Sequence, residues 1–152
     1  MGTPEERLVE LGLTLPGVAK PVAAYVPAVR SGSHVFTSGQ LPMREGALIT
    51  TGKVGAGVSA EVAVECARQC ALNALAAVRA EVGELAHVKR IVKVVAFVAS
   101  TPDFTGQPGV ANGASELFGD VFGEIGQHAR SAVGVTVLPL DAPVEVELVV
   151  EV

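Results

Sequence analysis

Residues Val144–Val152 read Val-Glu-Val-Glu-Leu-Val-Val-Glu-Val, and this stretch indicates a sheet with one buried face. Apolar residues at positions 144, 146, 148 and 150 alternate with Glu145, Glu147 and Glu151. Successive side chains of a β-strand point to opposite faces of the sheet, so the apolar set faces a core and the glutamates face away from it. The sequence therefore predicts a half-buried strand at the end of the chain.

The run before it, Arg130–Leu138, predicts the partner of this strand. It carries valines at positions 133, 135 and 137, and the segment 139–143 between the two runs contains two prolines and an aspartate. We expect a hairpin in which valine faces valine, with Thr136 opposite Glu145. At ~3.3 Å per residue this ladder puts Arg130 about 20 Å from Glu145, too far for both to hold one small ligand within a chain.

Helical and strand patterns precede this hairpin. Ser59 is placed as an N-cap and Gly83 as a stop, and the apolar residues between them recur at the helical period, which predicts the main helix. The valine-rich run Ile91–Ser100 predicts a strand buried on both faces. Ser115–Phe122 predicts a short helix that follows a turn at Asn112-Gly113.

A second hairpin is predicted near the start of the chain. Ala24–Arg30 and Ser33–Ser38 flank the dipeptide Ser31-Gly32, and a two-residue turn there places Tyr25 directly opposite Ser38. Pro27 has no N–H to donate to a sheet, so the first of these strands should lie at an edge or contain a bulge.

The chain of 152 residues is expected to form a single domain, 1–152, in which residues 1–20 are an N-terminal helical extension. The order of elements predicts an α+β protein with helices on one side of a single sheet. The opposite side of that sheet should meet water or another copy of the chain.

Composition argues against several classes of function. Eleven basic against sixteen acidic residues give a net charge of −5, which is unsuited to a nucleic-acid partner. Cys66 and Cys70 have no neighbours that complete a metal set and are interpreted as buried hydrophobes. No signal stretch or membrane span is evident, so we expect a cytoplasmic protein without a metal.

Two kinds of candidate residue remain, each with a plain alternative. Arg130 opens a strand of small and apolar residues, and it is either a surface arginine or a planar fork for a carboxylate. The glutamates of the last strand are either a solvated face or include one that orients a hydrolytic water.

Several motifs then occur in a fixed order along the chain. They are Thr37-Ser38-Gly39-Gln40-Leu41-Pro42, a strand ending in Phe97-Val98, Asn112 with Glu116 and Phe118, Ala129-Arg130-Ser131-Ala132-Val133, Leu138-Pro139 and Val144-Glu145-Val146-Glu147. From residue 22 to the C-terminus the chain resembles the RidA/YjgF family of reactive intermediate deaminases, in particular the longer branch that carries an endoribonuclease label.

The resemblance implies a chorismate-mutase-like fold with a mixed sheet and two main helices on one face, assembled as a homotrimer around a central β-barrel. It implies hydrolysis of enamine and imine intermediates, such as 2-aminoacrylate and other 2-imino acids, to 2-keto acids and ammonia without a metal or cofactor. Arg130 matches the arginine that clamps the substrate carboxylate, and Glu145 matches the acid that holds the attacking water. The residues that match ligand-contacting positions are Tyr25, Ser38, Gly39, Asn112 and Ala132.

Three departures keep other functions open. Ala132 stands where many members have a reactive cysteine, residues 105–111 form a longer segment than in short members, and the N-terminal helix is additional. The alternatives are a non-catalytic trimer that binds a small carboxylate or senses a metabolite, and an endoribonuclease.

Overall fold

A computed structural model describes residues 2–18 and 23–152 and shows an α+β fold. Three α-helices and seven β-strands occur in the described residues: α1 Pro4–Glu10, β1 Ala28–Ser31, β2 His34–Thr37, β3 Met43–Arg44, β4 Ala47–Leu48, α2 Ala60–Val82, β5 Arg90–Ala99, α3 Gln107–Phe122, β6 Ala129–Val135 and β7 Val144–Glu151. Short 3-10 turns span Leu85–His87, Gly123–Gly126 and Pro139–Asp141.

Five strands form the main sheet in the order β1-β2-β7-β5-β6, and β3 and β4 form a separate small hairpin. Strands β5 and β6 run parallel, whereas the other neighbours are antiparallel, so the main sheet is mixed. Helices α2 and α3 pack against each other and against one face of this sheet. The β1 strand that follows Pro27 lies at an edge, as the sequence predicts.

The predicted C-terminal hairpin is wrong, because β5 lies between β6 and β7. Arg130 lies opposite Val94 on one side of β5, and Glu145 lies opposite Phe97 on the other side. Alternation assigns a face to each residue of a strand but does not say which strand is its neighbour. Thr136 and Glu145 therefore do not pair, and the segment between β6 and β7 carries the chain past the end of β5.

The faces of β6 are also the reverse of those predicted. Val133 lies opposite Phe97 on the face away from the helices, whereas Arg130, Ala132 and Gly134 lie on the helix side. These three positions are under α3, where Gly134 leaves room for the amide of Gln107. Small residues on this face therefore allow the helix to approach the edge strand.

The first hairpin has a register two positions away from the predicted one. Its pairs run from Ala28 opposite Thr37 to Ser31 opposite His34, so Gly32 and Ser33 form the turn. Gly32 has a φ of 61°, a conformation that glycine adopts at no steric cost at the first position of such a turn. Tyr25 consequently precedes β1 and does not lie opposite Ser38.

The main helix is confirmed, with Ser59 accepting a hydrogen bond from the Val62 N–H and Gly83 at its end. The third helix is longer than predicted, and Asn112-Gly113 lies inside it rather than at a turn before it. A side chain at position 113 would collide with the backbone carbonyl of Val64. Glycine is therefore required there by the close approach of α3 to α2, not by a turn.

None of the residues that the structure describes covers the sheet face away from the helices. Val29, Phe36 and Val133 are exposed on it to 52%, 44% and 44%. Strand β5 is thus fully buried on its helix side only, since Val95 and Phe97 on the other side are half-buried. This uncovered apolar face also carries Glu145 and Glu147.

Both cysteines lie inside the core between α2 and the sheet. Burial raises the pKa of the Cys66 thiol to about 11 and raises that of the Cys70 thiol well above its usual range. These thiols are protonated at neutral pH, in line with their interpretation as small hydrophobes. Among the described helices, none is long and apolar enough to cross a membrane.

Candidate functional site

A cleft of about 820 Å³ opens where the ends of β2 and β7 meet the loop after β2. Of the residues predicted from the sequence, Tyr25, Ser38, Gly39 and Glu145 line it. Pro16, Gly17 and Val18 of the N-terminal segment also lie on its wall. Residues 105 and 106 precede α3 and residues 107–111 form its start, and none of them lines this cleft.

Two acids line the cleft, Glu45 and Glu145, and the family resemblance points to Glu145. The Glu145 side chain is on the sheet face opposite the helices. Glu145 is the second residue of β7 and lies opposite Phe97 of β5. Burial raises the pKa of its carboxyl above the ordinary value of 4.5, and the neighbouring charge of Glu147 raises it further. A carboxylate with a raised pKa is a better proton acceptor than an ordinary one, as general base catalysis requires.

Gly39 makes room for that carboxylate. A Cβ built at this position would lie 2.8 Å from Cδ and 2.9 Å from Oε2 of Glu145. Any other residue at 39 would displace the acid group. The structure thus gives Gly39 a role beyond the backbone contact that the resemblance implies.

The polar residues of the Thr37–Pro42 motif hold this loop against β7 and against the segment before β1. The Thr37 hydroxyl accepts a hydrogen bond of 3.0 Å from the Leu148 N–H, and the Ser38 hydroxyl donates one of 2.6 Å to the Val26 carbonyl. Gln40 exchanges two backbone hydrogen bonds with Val146, of 2.8 and 3.0 Å. Each polar group of the motif is therefore used to hold the cleft wall.

Two side chains of α2 that the sequence analysis missed hold the same loop from the helix side. Asn73 of α2 donates hydrogen bonds of 3.0 Å to the carbonyls of Leu41 and Met43, and it accepts one from the buried Gln69. Gln69 in turn accepts from Arg44. The available signal was two polar residues, four apart, in an otherwise apolar stretch of helix.

Arg130 lies elsewhere in the chain, on the edge strand β6. Its Nη1 donates to Oδ1 of Asn112 at 2.7 Å and to Oγ of Ser115 at 3.2 Å, both on α3. No acidic side chain of the described residues forms an ion pair with it. The guanidinium is half-buried and held by two neutral oxygens, so it is a fixed cation rather than an arginine in open solvent.

Ser115 and His128 complete this cluster, and neither was predicted. The Ser115 hydroxyl lies 2.8 Å from Nε2 of His128, whose Nδ1 lies 2.6 Å from the carbonyl oxygen of Gly126. Ala132 lies on the same face of β6, two residues beyond Arg130, and is half-buried. We call these residues, Asn112, Ser115, His128 and Arg130, the arginine cluster.

The cleft and the arginine cluster are apart in the single chain. Arg130 and Glu145 are on opposite faces of the sheet, on the two sides of β5, and are offset by three residues, about 10 Å along the strand. The structure therefore brings Tyr25, Ser38, Gly39 and Glu145 together, and separately Asn112, Arg130 and Ala132. Within the described ranges, no group of three or more histidine, cysteine or acidic residues could hold a metal ion.

Comparison with known proteins gives a consistent result. A family model described as "YjgF/chorismate mutase-like, putative endoribonuclease" matches residues 5–152. Protein TCP17 of Trypanosoma cruzi is 47% identical over 145 residues, covering 95% of this chain and 91% of that protein. A 2-iminobutanoate/2-iminopropanoate deaminase of Dermatophagoides farinae is 31% identical over 138 residues, covering 91% and 93%. A crystal structure of an Agrobacterium tumefaciens protein of unknown function superimposes with a TM-score of 0.92 at 46% identity, covering 99% of this chain and 93% of that one.

Proposed function

This chain belongs to the YjgF/chorismate-mutase-like family, and from that membership we propose that it is a deaminase that hydrolyses small 2-imino acids to 2-keto acids and ammonia. The observation that carries the proposal is the Glu145 carboxylate, half-buried at a cleft with a raised pKa and with space kept for it by Gly39. The deaminase of Dermatophagoides farinae, 31% identical, supports the same reaction class.

The chemistry asks little of the protein beyond orientation. An iminium carbon is already electrophilic, so a water held by Glu145 can attack it while the carboxylate accepts one proton. Glu145 then returns this proton to the amine nitrogen, and the carbinolamine expels ammonia as the C–N bond breaks, its hydroxyl gives a proton back to the carboxylate and the C=O bond forms. No oxidation state changes, so the reaction needs no redox cofactor.

Arg130 is the proposed partner for the substrate carboxylate. A guanidinium binds a carboxylate through two parallel hydrogen bonds, which fixes the plane of the substrate as well as its position. Because Arg130 and Glu145 are apart in one chain, we propose that the complete site forms between copies, with Arg130 of one copy and Glu145 of the next. The uncovered apolar face of the sheet supports a closed assembly, a homotrimer in this proposal.

The test is a dehydratase that releases 2-aminoacrylate or 2-iminobutanoate from serine or threonine in the presence of this protein. Semicarbazide competes for the free imine, so a deaminase lowers the yield of semicarbazone from the imine. We expect wild type to accelerate loss of the imine, and Arg130→Ala and Glu145→Gln to lose at least about a hundredfold.

Two outcomes would replace the proposal. No acceleration by wild type, with 2-keto acids still bound, would leave a carboxylate-binding or metabolite-sensing protein. Cleavage of labelled RNA that is lost in Arg130→Ala would favour the endoribonuclease of the family description, against which the net charge of −5 argues.

A further inference from the structure

The hydrogen bonds of the arginine cluster run in one direction. The carbonyl of Gly126 can only accept, so Nδ1 of His128, 2.6 Å away, carries a hydrogen and donates it. In the neutral ring Nε2 is then an acceptor, and the Ser115 hydroxyl donates to it at 2.8 Å. The oxygen lone pairs of Ser115 are thereby turned toward Nη1 of Arg130, which donates at 3.2 Å.

Two hydrogen bonds occupy both hydrogens of Nη1 in the Arg130 guanidinium. Nη1 carries two hydrogens, and Asn112 and Ser115 accept one each. In the described part of the chain these are the only hydrogen bonds of the Arg130 side chain. The edge formed by Nε and Nη2 is therefore the one presented to an anion, and that edge fits the two oxygens of a carboxylate.

Packing against α3 fixes the His128 end of this chain of hydrogen bonds. The His128 ring meets Phe118 of α3 edge to face, with centroids 5.8 Å apart and planes at 90°. Gly126 is pressed against the carbonyl of Phe118 so closely that a Cβ would collide with it. The imidazole and its acceptor are thus both fixed to α3, the helix that also carries Asn112 and Ser115.

We propose that Ser115 and His128 are positioning residues that set the orientation of the Arg130 guanidinium and so determine how tightly a 2-imino or 2-keto acid carboxylate is bound. This inference rests on the proposed function for the identity of the ligand. It assigns to His128 the role of an acceptor for Ser115, not that of a proton donor to the substrate.

A nucleophilic role for Ser115 does not fit its place in the fold. The residue lies well inside α3, where backbone N–H groups are paired along the helix. Acyl transfer needs N–H donors directed at the developing oxyanion, and an interior turn of a helix supplies none. The contact with His128 is therefore better explained by orientation of the hydroxyl.

The experiment measures binding of 2-oxobutanoate by calorimetry and kcat and KM for imine hydrolysis in one set of variants. Ser115→Ala and His128→Phe break the hydrogen bonds that link His128 and Ser115 to Arg130. We expect Kd and KM to rise about tenfold, with kcat within about threefold of wild type. His128→Gln places an amide oxygen near the position of Nε2 and should stay within about twofold of wild-type Kd. His87→Gln is the matched control, since its Nδ1 also meets a backbone carbonyl, at 2.9 Å, but outside the cluster.

The outcomes separate this inference from the proposed function. Each variant is first compared with wild type by thermal unfolding, and Ser115→Cys, whose thiol is only a weak hydrogen-bond donor and acceptor, replaces Ser115→Ala if that variant is not folded. An unchanged Kd in Ser115→Ala, equal weakening by glutamine and phenylalanine at 128, a fall in kcat at constant KM, or no binding of 2-oxobutanoate by wild type would each overturn the positioning role. If wild type binds 2-oxobutanoate with the expected pattern but does not accelerate imine hydrolysis, the positioning role stands and the deaminase proposal fails.

Discussion

Burial and one neighbouring charge together set the pKa of the Glu145 carboxyl. Burial at the cleft raises the pKa of its carboxyl first, and the negative charge of Glu147, two residues along the same face of β7, raises it second. A base must be ionised to accept a proton, so kcat/KM falls as the pH drops through this raised pKa. The acid limb of the pH profile should accordingly lie above 4.5, the ordinary value for glutamate.

Glu147→Gln tests the second of these causes. Removing the like charge lowers the pKa of Glu145, so the acid limb of kcat/KM should move to lower pH but remain above 4.5, because the effect of burial persists. The measurement is a pH–rate profile of imine hydrolysis. Glu151→Gln, on the same strand and farther from the cleft, is the control and should leave the limb in place; a shift to higher pH in Glu147→Gln would contradict the assignment.

Gly39→Ala tests whether the Glu145 carboxylate must occupy its observed position. The added methyl group lies within 3 Å of that carboxylate, which can move aside at little cost to stability because it is the end of a flexible side chain. We expect the free energy of unfolding to change by less than about 1 kcal/mol and kcat to fall at least about tenfold. In a Glu145→Gln background the same change should cost much less, and a double-mutant cycle measures this difference. Additive losses would show that Gly39 acts through another group.

The sequence analysis identified some residues of the candidate sites and missed others. Arg130 stands out because it opens a run of small and apolar residues, whereas the family resemblance alone selects Glu145 among the glutamates of its strand; the structure leaves both residues half-buried. Ser115 and His128 do not stand out, since a serine within a helix and a histidine before a strand are ordinary. Their contact depends on β6 lying under α3, which the mistaken hairpin with β7 concealed.

At the scale of elements, periodicity predicted what depends on one segment alone. The main helix and β5 follow from their own patterns of apolar residues, and Ser59 and Gly83 end the helix as local chemistry requires. Neighbour relations in the sheet depend on the whole chain, so the β6–β7 pairing was wrong although the faces of β7 were right. The interior position of Gly113 was missed for the same reason, because a close helix contact and a turn both select glycine.

Gly113→Ala tests that contact between α2 and α3. A methyl group at 113 would lie 3.1 Å from Cγ1 of Val64 and closer still to the Val64 backbone carbonyl, which cannot move without distorting α2. We expect a loss of about 1–3 kcal/mol in the free energy of unfolding, measured by denaturant titration. Gly119→Ala is the matched control in the same helix, because, apart from its chain neighbours and the adjacent backbone of α3, no atom of residues 2–18 or 23–152 lies within 4 Å of its Cβ position. It should gain about 0.5–1 kcal/mol, and equal effects of the two changes would refute the packing argument.

At the scale of the whole molecule, the features that the fold leaves incomplete are on the uncovered sheet face and at its edges. Exposed Val29, Phe36 and Val133 offer apolar surface that a monomer rarely leaves open to water. In the proposed function, the cleft and the arginine cluster are each half of a site for a small acid, with the base in one and the carboxylate clamp in the other. A ring of copies that covers this face and joins the two halves explains both features together.

Mixing of inactive subunits tests this arrangement directly. If each site takes Arg130 from one copy and Glu145 from the next, co-expressed Arg130→Ala and Glu145→Gln chains can form intact sites. A site is intact where the Glu145→Gln chain supplies Arg130 and the Arg130→Ala chain supplies Glu145, which holds for about one quarter of sites on random mixing. Wild type mixed equally with the double variant should also retain about one quarter of the activity. Sites built within single chains give a different pair of results, no activity in the first mixture and about half in the second. Measuring both mixtures at equal subunit ratios, with the ratio checked by mass spectrometry and the assembly by light scattering, therefore decides between the two arrangements whatever the absolute rate.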